Sequence, residues 1–196
     1  MGGSDKALHM LAGKPMLAHV VERLAPQVAS LVLNANGDPE RFAHFGLTVV
    51  PDTVEGYPGP LAGLLAGLRW AMAHTPEARW VVTISSDAPF LPLDLVQRLA
   101  AAAETDRSVV CAASGDRIHP VVGLWPVQLA DDLEQQLRSG LRRMMDWTNR
   151  HAAVAVDFPF VRFHGRMLDP FFNVNTPEEL AEASALIQSR VESRSQ

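Results

Sequence analysis

Trp80-Val81-Val82-Thr83-Ile84-Ser85-Ser86-Asp87-Ala88-Pro89-Phe90-Leu91-Pro92 is the stretch on which the fold turns. Its first five residues are apolar and largely β-branched, which predicts a short buried strand. Pro89 and Pro92 cannot continue a ladder, so Asp87 falls where the strand passes into a loop. In an open α/β sheet that edge is where ligands bind. A carboxylate there, among small neighbours, suits a divalent cation that bridges to a phosphate. It equally suits a turn or a helix cap ahead of Pro92-Leu93-Asp94-Leu95.

Outward from this stretch, the pattern repeats. Leu31-Val32-Leu33 runs into Asn34-Ala35-Asn36-Gly37-Asp38, and Leu47-Thr48-Val49-Val50 runs into Pro51-Asp52. A short helical stretch (39–45) separates the first two strands, and a longer one (60–74) separates the second from the third. Strands alternating with helices imply right-handed crossovers and a parallel sheet. Parallel strands would bring Asn34, Asp52 and Asp87 to one rim, although polar residues also end many strands that carry no site. The expected class is a three-layer α/β/α, Rossmann-like arrangement with a mostly parallel sheet.

The bulk properties narrow the function. A chain of 196 residues suits one domain, 1–196, with a sizeable core. A net charge of -5 argues against nonspecific nucleic-acid binding, which needs a basic surface. Local cations and a metal can still hold a small anion. No apolar run is long enough for a bilayer, and no secretory leader is visible. Cys111, in Val109-Val110-Cys111-Ala112, reads as a buried strand residue. A lone cysteine forms no internal disulfide, which fits a cytoplasmic setting. Of the 17 cationic side chains only Lys6 and Lys14 are lysines. A compact ammonium fits a phosphate cluster where a planar fork does not. Chance placement in an exposed terminus is the plainer account.

Along the rest of the chain, 1–14 reads as loop and Pro15 opens a helix whose Met16, Leu17, Val20, Val21 and Leu24 face a sheet. Gly59-Pro60-Leu61-Ala62-Gly63-Leu64-Leu65-Ala66-Gly67-Leu68 predicts a proline-opened helix. Gly63 and Gly67 would pack closely on the sheet, and Gly59 could face a phosphate. Neither a P-loop nor a dinucleotide fingerprint is present. A helix is expected over 92–104, and a hairpin over 108–113 and 119–125 turning at Ser114-Gly115-Asp116. Helices over 126–138 and 141–150, a strand over 152–158 and an irregular piece over 162–169 follow. Thr176-Pro177-Glu178-Glu179 predicts an N-capped helix that frays into a polar tail, 189–196. His19, His44, His74, His151 and His164 show no metal-ligand spacing.

In combination these segments resemble the molybdenum cofactor guanylyltransferases. The matching pieces are Gly2-Gly3-Ser4-Asp5-Lys6, Leu11-Ala12-Gly13-Lys14-Pro15-Met16, Asn34-Ala35-Asn36, Gly59-Pro60-Leu61-Ala62-Gly63, the Asp87 loop, Arg117-Ile118-His119-Pro120-Val121-Val122-Gly123-Leu124-Trp125, and Asn173-Val174-Asn175-Thr176-Pro177. They keep the family's order over nearly the whole chain. The resemblance implies transfer of GMP from GTP to the terminal phosphate of molybdopterin or molybdenum-molybdopterin, with Mg²⁺ as cofactor and pyrophosphate released. It also implies that Lys6 contacts the nucleotide phosphates, that Asn34 and Asp52 hold guanine or ribose, and that Asp87 ligates the metal. Asn173 and Asn175 would hold the pterin or order the site, and Arg117 and His119 would be pterin-side contacts. Molybdoenzymes or their chaperones would be protein partners; nucleic acid and membranes would not. The absence of any nucleophilic Ser-His or Cys-His pair in the motifs agrees in kind with such a transfer.

One feature departs from the family. Its members open with a strand and a Leu-Ala-Gly-Gly loop before the Gly-Gly-x-Asp-Lys piece, whereas Met1 stands inside that motif. The expectation is a start assigned too late, with the strand beside the one ending at Asn34 absent and its phosphate-binding loop absent with it. Four other readings compete. They are a cytidylyltransferase acting on the same pterin, a sugar-1-phosphate nucleotidyltransferase, a non-catalytic molybdopterin-binding partner, and a structural domain whose strand-end residues are only caps.

Overall fold

A computed structural model describes residues 6–192 except 55, 57, 58 and 164. Gly2, Gly3, Ser4, Asp5, His164 and the end of the polar tail (193–196) lie outside the described residues.

A short hairpin, β1 (Met10–Leu11) and β2 (Lys14–Pro15), leads into helix α1 (Met16–Leu24). Strand β3 (Val32–Asn34), a 3-10 turn (Pro39–Phe45) and β4 (Thr48–Val50) precede α2 (Pro60–His74) and β5 (Trp80–Thr83). Then come α3 (Leu95–Ala101), β6 (Val110–Ser114), β7 (Arg117–Pro126), α4 (Ala130–Arg138), α5 (Met144–Arg150) and β8 (Val154–Asp157). A hairpin of β9 (Val161–Phe163) and β10 (Arg166–Leu168) joins them to the final helix α6 (Pro177–Glu192).

The sheet explains the layers. In the four-stranded order β5-β7-β6-β8, β5, β6 and β8 run one way and β7 runs against them. β3 and β4 pair parallel to each other. Side chains alternate along β6 and β7. Cys111 and Trp125 face α2, α4 and α5 through Leu61, Leu65, Leu133 and Trp147. Val110, Ala112, Val122 and Leu124 face α1 and α3 through Val20, Leu95 and Leu99. A sheet buried on both faces between helical layers is the α/β/α class that the sequence predicts.

Several elements differ in detail. The sequence predicts loop over 1–14 and irregular chain over 162–169, but hairpins occupy part of both. They are too short for a visible period of two, and Gly13 makes the first turn with φ of 90°. α3 begins at Leu95 rather than at Pro92, because 92–94 forms a turn. α5 begins at Met144, after Gly140 breaks the chain direction with φ of 102°. β7 makes a hairpin with β6, as expected, and also inserts between β6 and β5. Its register against β6 slips where Cys111 faces Gly123 and Ala112 faces His119, and Pro120, which has no N–H to donate, stands within that slip.

β5 is half-buried, not buried as its composition predicts. Its edge away from β7 and the edge of β3 away from β4 both border a groove. Val32, Leu33, Val81 and Val82 line it, roofed by Leu24 and Gly67, in two adjoining cavities of about 210 and 330 Å³. Cys111 is buried as expected, and burial pushes its thiol up to about 12, so it carries no thiolate chemistry. No helix among the described residues is long and apolar enough to cross a membrane.

Two buried histidines couple this core to pH. His19, on α1, shares a 2.7 Å hydrogen bond with the Leu11 carbonyl, yet burial holds its imidazole below the ordinary 6.5. Burial also lowers His119, against the pull of Asp169. An unfolded chain therefore takes up protons that the folded chain refuses, and stability falls as pH drops through 6.5 and below. The urea midpoint is expected to fall between about pH 7.5 and about pH 5.5, and to fall less in His19→Gln. Equal slopes in the two proteins would remove His19 from this account.

Candidate functional site

The first cluster follows from the parallel pairing of β3 and β4. Asn34 ends β3 opposite Val50, and the Ala35 N–H continues the ladder to the Val50 carbonyl at 3.2 Å. Pro51 then stops β4, which turns Asp52 across to β3. The Asp52 carboxylate accepts from Asn34 Nδ2 at 3.0 Å and from Asn36 Nδ2 at 2.8 Å. Asn36 Oδ1 accepts the Asp52 backbone N–H at 2.9 Å, and Asn34 Nδ2 also reaches the Val50 carbonyl at 3.0 Å. Asn36 is a member to which the motif reading assigns no role. A signal for it exists in the spacing: residues i and i+2 of an extended strand project to one side.

The α2 helix presses on this cluster from below. A Cβ on Gly63 would lie 2.4 Å from Asn34 Oδ1 and 3.1 Å from its Cγ. Gly63 therefore holds space for a polar side chain, whereas Gly67 packs on Val81, whose Cγ1 lies 3.6 Å from a Cβ placed there.

The second cluster gathers three distant segments. Asp87 lies half-buried in the loop after β5, where Oδ1 accepts a hydrogen bond from the Ser85 hydroxyl. It caps no helix; Asp94 stands at the start of α3. The Asp87 carbonyl accepts the Val174 N–H at 2.9 Å, which lays the segment before α6 against the loop. The far end of that segment is fixed by reciprocal capping. The Glu179 N–H donates to Thr176 Oγ1 at 3.1 Å, and Glu179 Oε2 accepts from the Thr176 and Asn175 N–H groups at 2.9 and 2.7 Å. Asn173 and Asn175 are thus exposed beside Asp87. Lys6, in a 3-10 turn at Lys6–Leu8, donates to Asn175 Oδ1 at 2.9 Å. Asn175 Nδ2 donates to the Asn173 carbonyl at 3.3 Å. Lys14 is instead ion-paired with Glu22.

The two clusters share a border. Asn34 from the first and Ser86, next to Asp87, line the same cavity of about 210 Å³. Lys6 meets Asn175, whose segment lies against the Asp87 loop through Val174, and Asn34 meets Asp52. Arg117 and His119 stand apart on β7. Arg117 is exposed, but the His119 ring is buried, with Nε2 2.7 Å from Ser114 Oγ and its centroid 4.8 Å from that of Phe171. Its imidazole therefore faces the interior, not the open side of the hairpin.

The donor set fits a hard divalent cation held by one carboxylate. Asp87 offers a half-exposed carboxylate whose Oδ2 accepts no hydrogen bond among the described residues. No group of three or more His, Cys, Asp or Glu among the described residues gathers there to cage a metal. Mg²⁺ prefers few protein ligands, with waters and phosphate oxygens completing the shell.

Comparison with known proteins adds the lineage. Residues 1–156 match the family model described as a MobA-like NTP transferase domain. A molybdenum cofactor guanylyltransferase of Bradyrhizobium sp. (strain ORS 278) is 53% identical over 188 residues, covering 95% of this chain and 86% of that protein. One from Mesorhizobium japonicum is 51% identical over 191 residues, covering 96% and 90%. Among solved structures, molybdopterin-guanine dinucleotide biosynthesis protein A from Archaeoglobus fulgidus superposes with a TM-score of 0.68 at 23% identity, covering 95% and 92% of the two chains. The 4-diphosphocytidyl-2C-methyl-D-erythritolsynthase of Anaerococcus prevotii gives a TM-score of 0.69 at 14% identity, covering 95% and 94%. At those identities the likeness is one of fold.

Proposed function

The chain belongs to the MobA-like NTP transferase family and is a nucleotidyltransferase of molybdopterin guanine dinucleotide synthesis, and on that premise we propose that it transfers GMP from GTP to the terminal phosphate of molybdopterin, with Mg²⁺. The observation that carries the reading is that the segment bearing Asn175, which accepts from Lys6 Nζ at 2.9 Å, is laid against the Asp87 loop by the Val174 N–H on the Asp87 carbonyl at 2.9 Å.

An oxygen of the pterin phosphate attacks the α-phosphorus of GTP, a new P–O–P linkage forms, and pyrophosphate leaves with its electron pair. The attacking phosphate is already ionised near neutral pH, so no strong general base is required. The rate then comes from alignment and from neutralising charge. Lys6 spends one N–H on Asn175 and presents its remaining donors to the phosphates. Asn34 and Asp52 hold guanine or ribose at the first cluster, and Asn36 keeps the Asp52 carboxylate turned toward them. Asn173 and Asn175 hold the pterin side, whereas Arg117 is an exposed cation apart from them on β7 and the buried His119 makes no pterin contact. Asp87 would hold the magnesium ion, which when bound draws charge from the phosphate oxygens.

Calorimetric titration of the chain with GTP and with CTP in the presence of Mg²⁺ tests the reading. Preferential GTP binding, followed by pyrophosphate release on adding molybdopterin, is expected. Preference for CTP would move the chain to the cytidylyl reaction, and pterin binding without affinity for either nucleotide would make it a non-catalytic binder. Gly63→Ala sharpens the base-site assignment. Its methyl must displace the Asn34 amide, so the GTP dissociation constant is expected to rise about tenfold or more while the melting temperature holds within a few degrees. Unchanged GTP affinity would separate Asn34 from the nucleotide.

A further inference from the structure

The segment that carries Asn173 and Asn175 has a second anchor, at its other end, that none of the motifs includes. Asp169 Oδ1 accepts from Ser114 Oγ at 2.9 Å and from the Phe171 N–H at 2.9 Å. Its carbonyl accepts the Phe172 N–H at 3.0 Å, closing a turn. Ser114 ends β6 and is 2% exposed, and its Oγ lies 2.7 Å from His119 Nε2 on β7. Asp169 Oδ2 is 3.7 Å from that same nitrogen.

A serine hydroxyl has one proton. Because Ser114 donates it to Asp169, His119 Nε2 must carry the N–H that Ser114 accepts. The three side chains form a one-way relay of donors, from His119 to Ser114 to Asp169, and the Asp169 carboxylate at its end also holds the backbone of Phe171. Phe171 is clamped as well by rings, 4.8 Å from His119 and 5.3 Å edge-on from Phe158. This is not a nucleophilic triad, since the buried serine stands between the other two and gives its proton to the carboxylate.

We propose that Asp169 is a positioning residue, a latch that ties the turn end of the β6–β7 hairpin to the 169–175 segment and so sets where Asn173 and Asn175 stand relative to Asp87. The segment is held at three points: by Asp169 on Ser114, by the Val174 N–H on the Asp87 carbonyl, and by the Thr176–Glu179 cap. Removing the first loosens the second as well and lets the exposed asparagines shift relative to Asp87. Displacements of about 1 Å at a reacting pair can cost about a hundredfold in rate. The latch touches neither Asn34 nor Asp52, whose partners lie on β3 and β4 and in the turns that follow them. The proposal rests on the guanylyl-transfer reading for its substrates.

Asp169→Ala and Asp169→Asn in the full chain test it. Asparagine keeps a carbonyl oxygen for both Ser114 and Phe171; alanine keeps neither. Asp169→Ala is expected to raise KM for molybdopterin about tenfold or more and to leave KM for GTP within about twofold, whereas Asp169→Asn stays within about threefold of the wild type on both. Amide hydrogen exchange at Phe171 and Val174 is expected to quicken in Asp169→Ala alone. An equal rise in both KM values with a lowered melting temperature would make Asp169 a structural residue only, and wild-type exchange at Val174 in Asp169→Ala would remove the latch. A wild-type chain that transfers no GMP would sink the transfer reading by itself, and the exchange of those two amides would still decide for or against the latch.

Discussion

Asp87→Asn is expected to lose magnesium-dependent GMP transfer by about a thousandfold or more while folding as the wild type does. The substitution exchanges a charged oxygen for an amide of the same shape. The new side chain would still offer a carbonyl oxygen to the Ser85 hydroxyl, and the main-chain carbonyl that accepts Val174 is untouched. What goes is the negative charge. With no cluster of carboxylates and histidines gathered nearby among the described residues, nothing substitutes for it. A neutral amide is a poor ligand for a hard divalent cation, so the apparent magnesium requirement should rise together with the loss of rate. The measurement is pyrophosphate release across a magnesium titration, beside a thermal melt. A variant with near-normal rates at wild-type magnesium would show that the Asp87 carboxylate only orders its loop, through Ser85.

That site was legible in the sequence to the extent that strand ends are. Val50 and Asn34 end neighbouring parallel strands, so the polar residues just past them had to converge, and Asn34 and Asp52 meet at 3.0 Å. The capping box at Thr176 and Glu179 was equally local, since three residues of spacing settle it. Non-local pairings were hidden. Nothing in Arg117–Pro126 announces that this strand pairs with β5 as well as with β6, because a buried antiparallel strand between two parallel ones has the same apolar run as they do. Asp169 was invisible for a related reason. Its role depends on Ser114, 55 positions earlier, and a lone aspartate before a proline reads as a turn. His119 lies on the strand that the sequence predicts, but the slip at Pro120 turns its ring inward, and no period of two survives such a slip. The half-buried state of β5 also lies beyond composition, since it reflects which edges border the groove rather than which residues the strand contains.

Lys6→Arg is expected to lower the turnover number about a hundredfold although the charge is kept. The chain has only Lys6 and Lys14 as lysines, and the structure separates their roles: Lys14 is spent on Glu22, whereas Lys6 Nζ reaches Asn175 Oδ1 at 2.9 Å. An ammonium at that point is one compact charge with three donors, of which Asn175 takes one. A guanidinium is longer and planar, and places its donors in a fixed fork. To bond Asn175 it must retract or tilt, and either movement shifts the charge away from the phosphates. Asn175 cannot follow, because its backbone N–H is held by Glu179 at 2.7 Å and the neighbouring Val174 N–H by Asp87. The loss should therefore appear in kcat more than in the affinity for GTP, which on the proposed reading Asn34 and Asp52 support from the other cluster. Lys6→Ala should lose more than Lys6→Arg, since it gives up the charge as well as its placement. If Lys6→Arg turns over at the wild-type rate, position matters less than charge. If Lys6→Ala does so too, the ammonium is a surface group whose contact with Asn175 serves only to order the segment before α6.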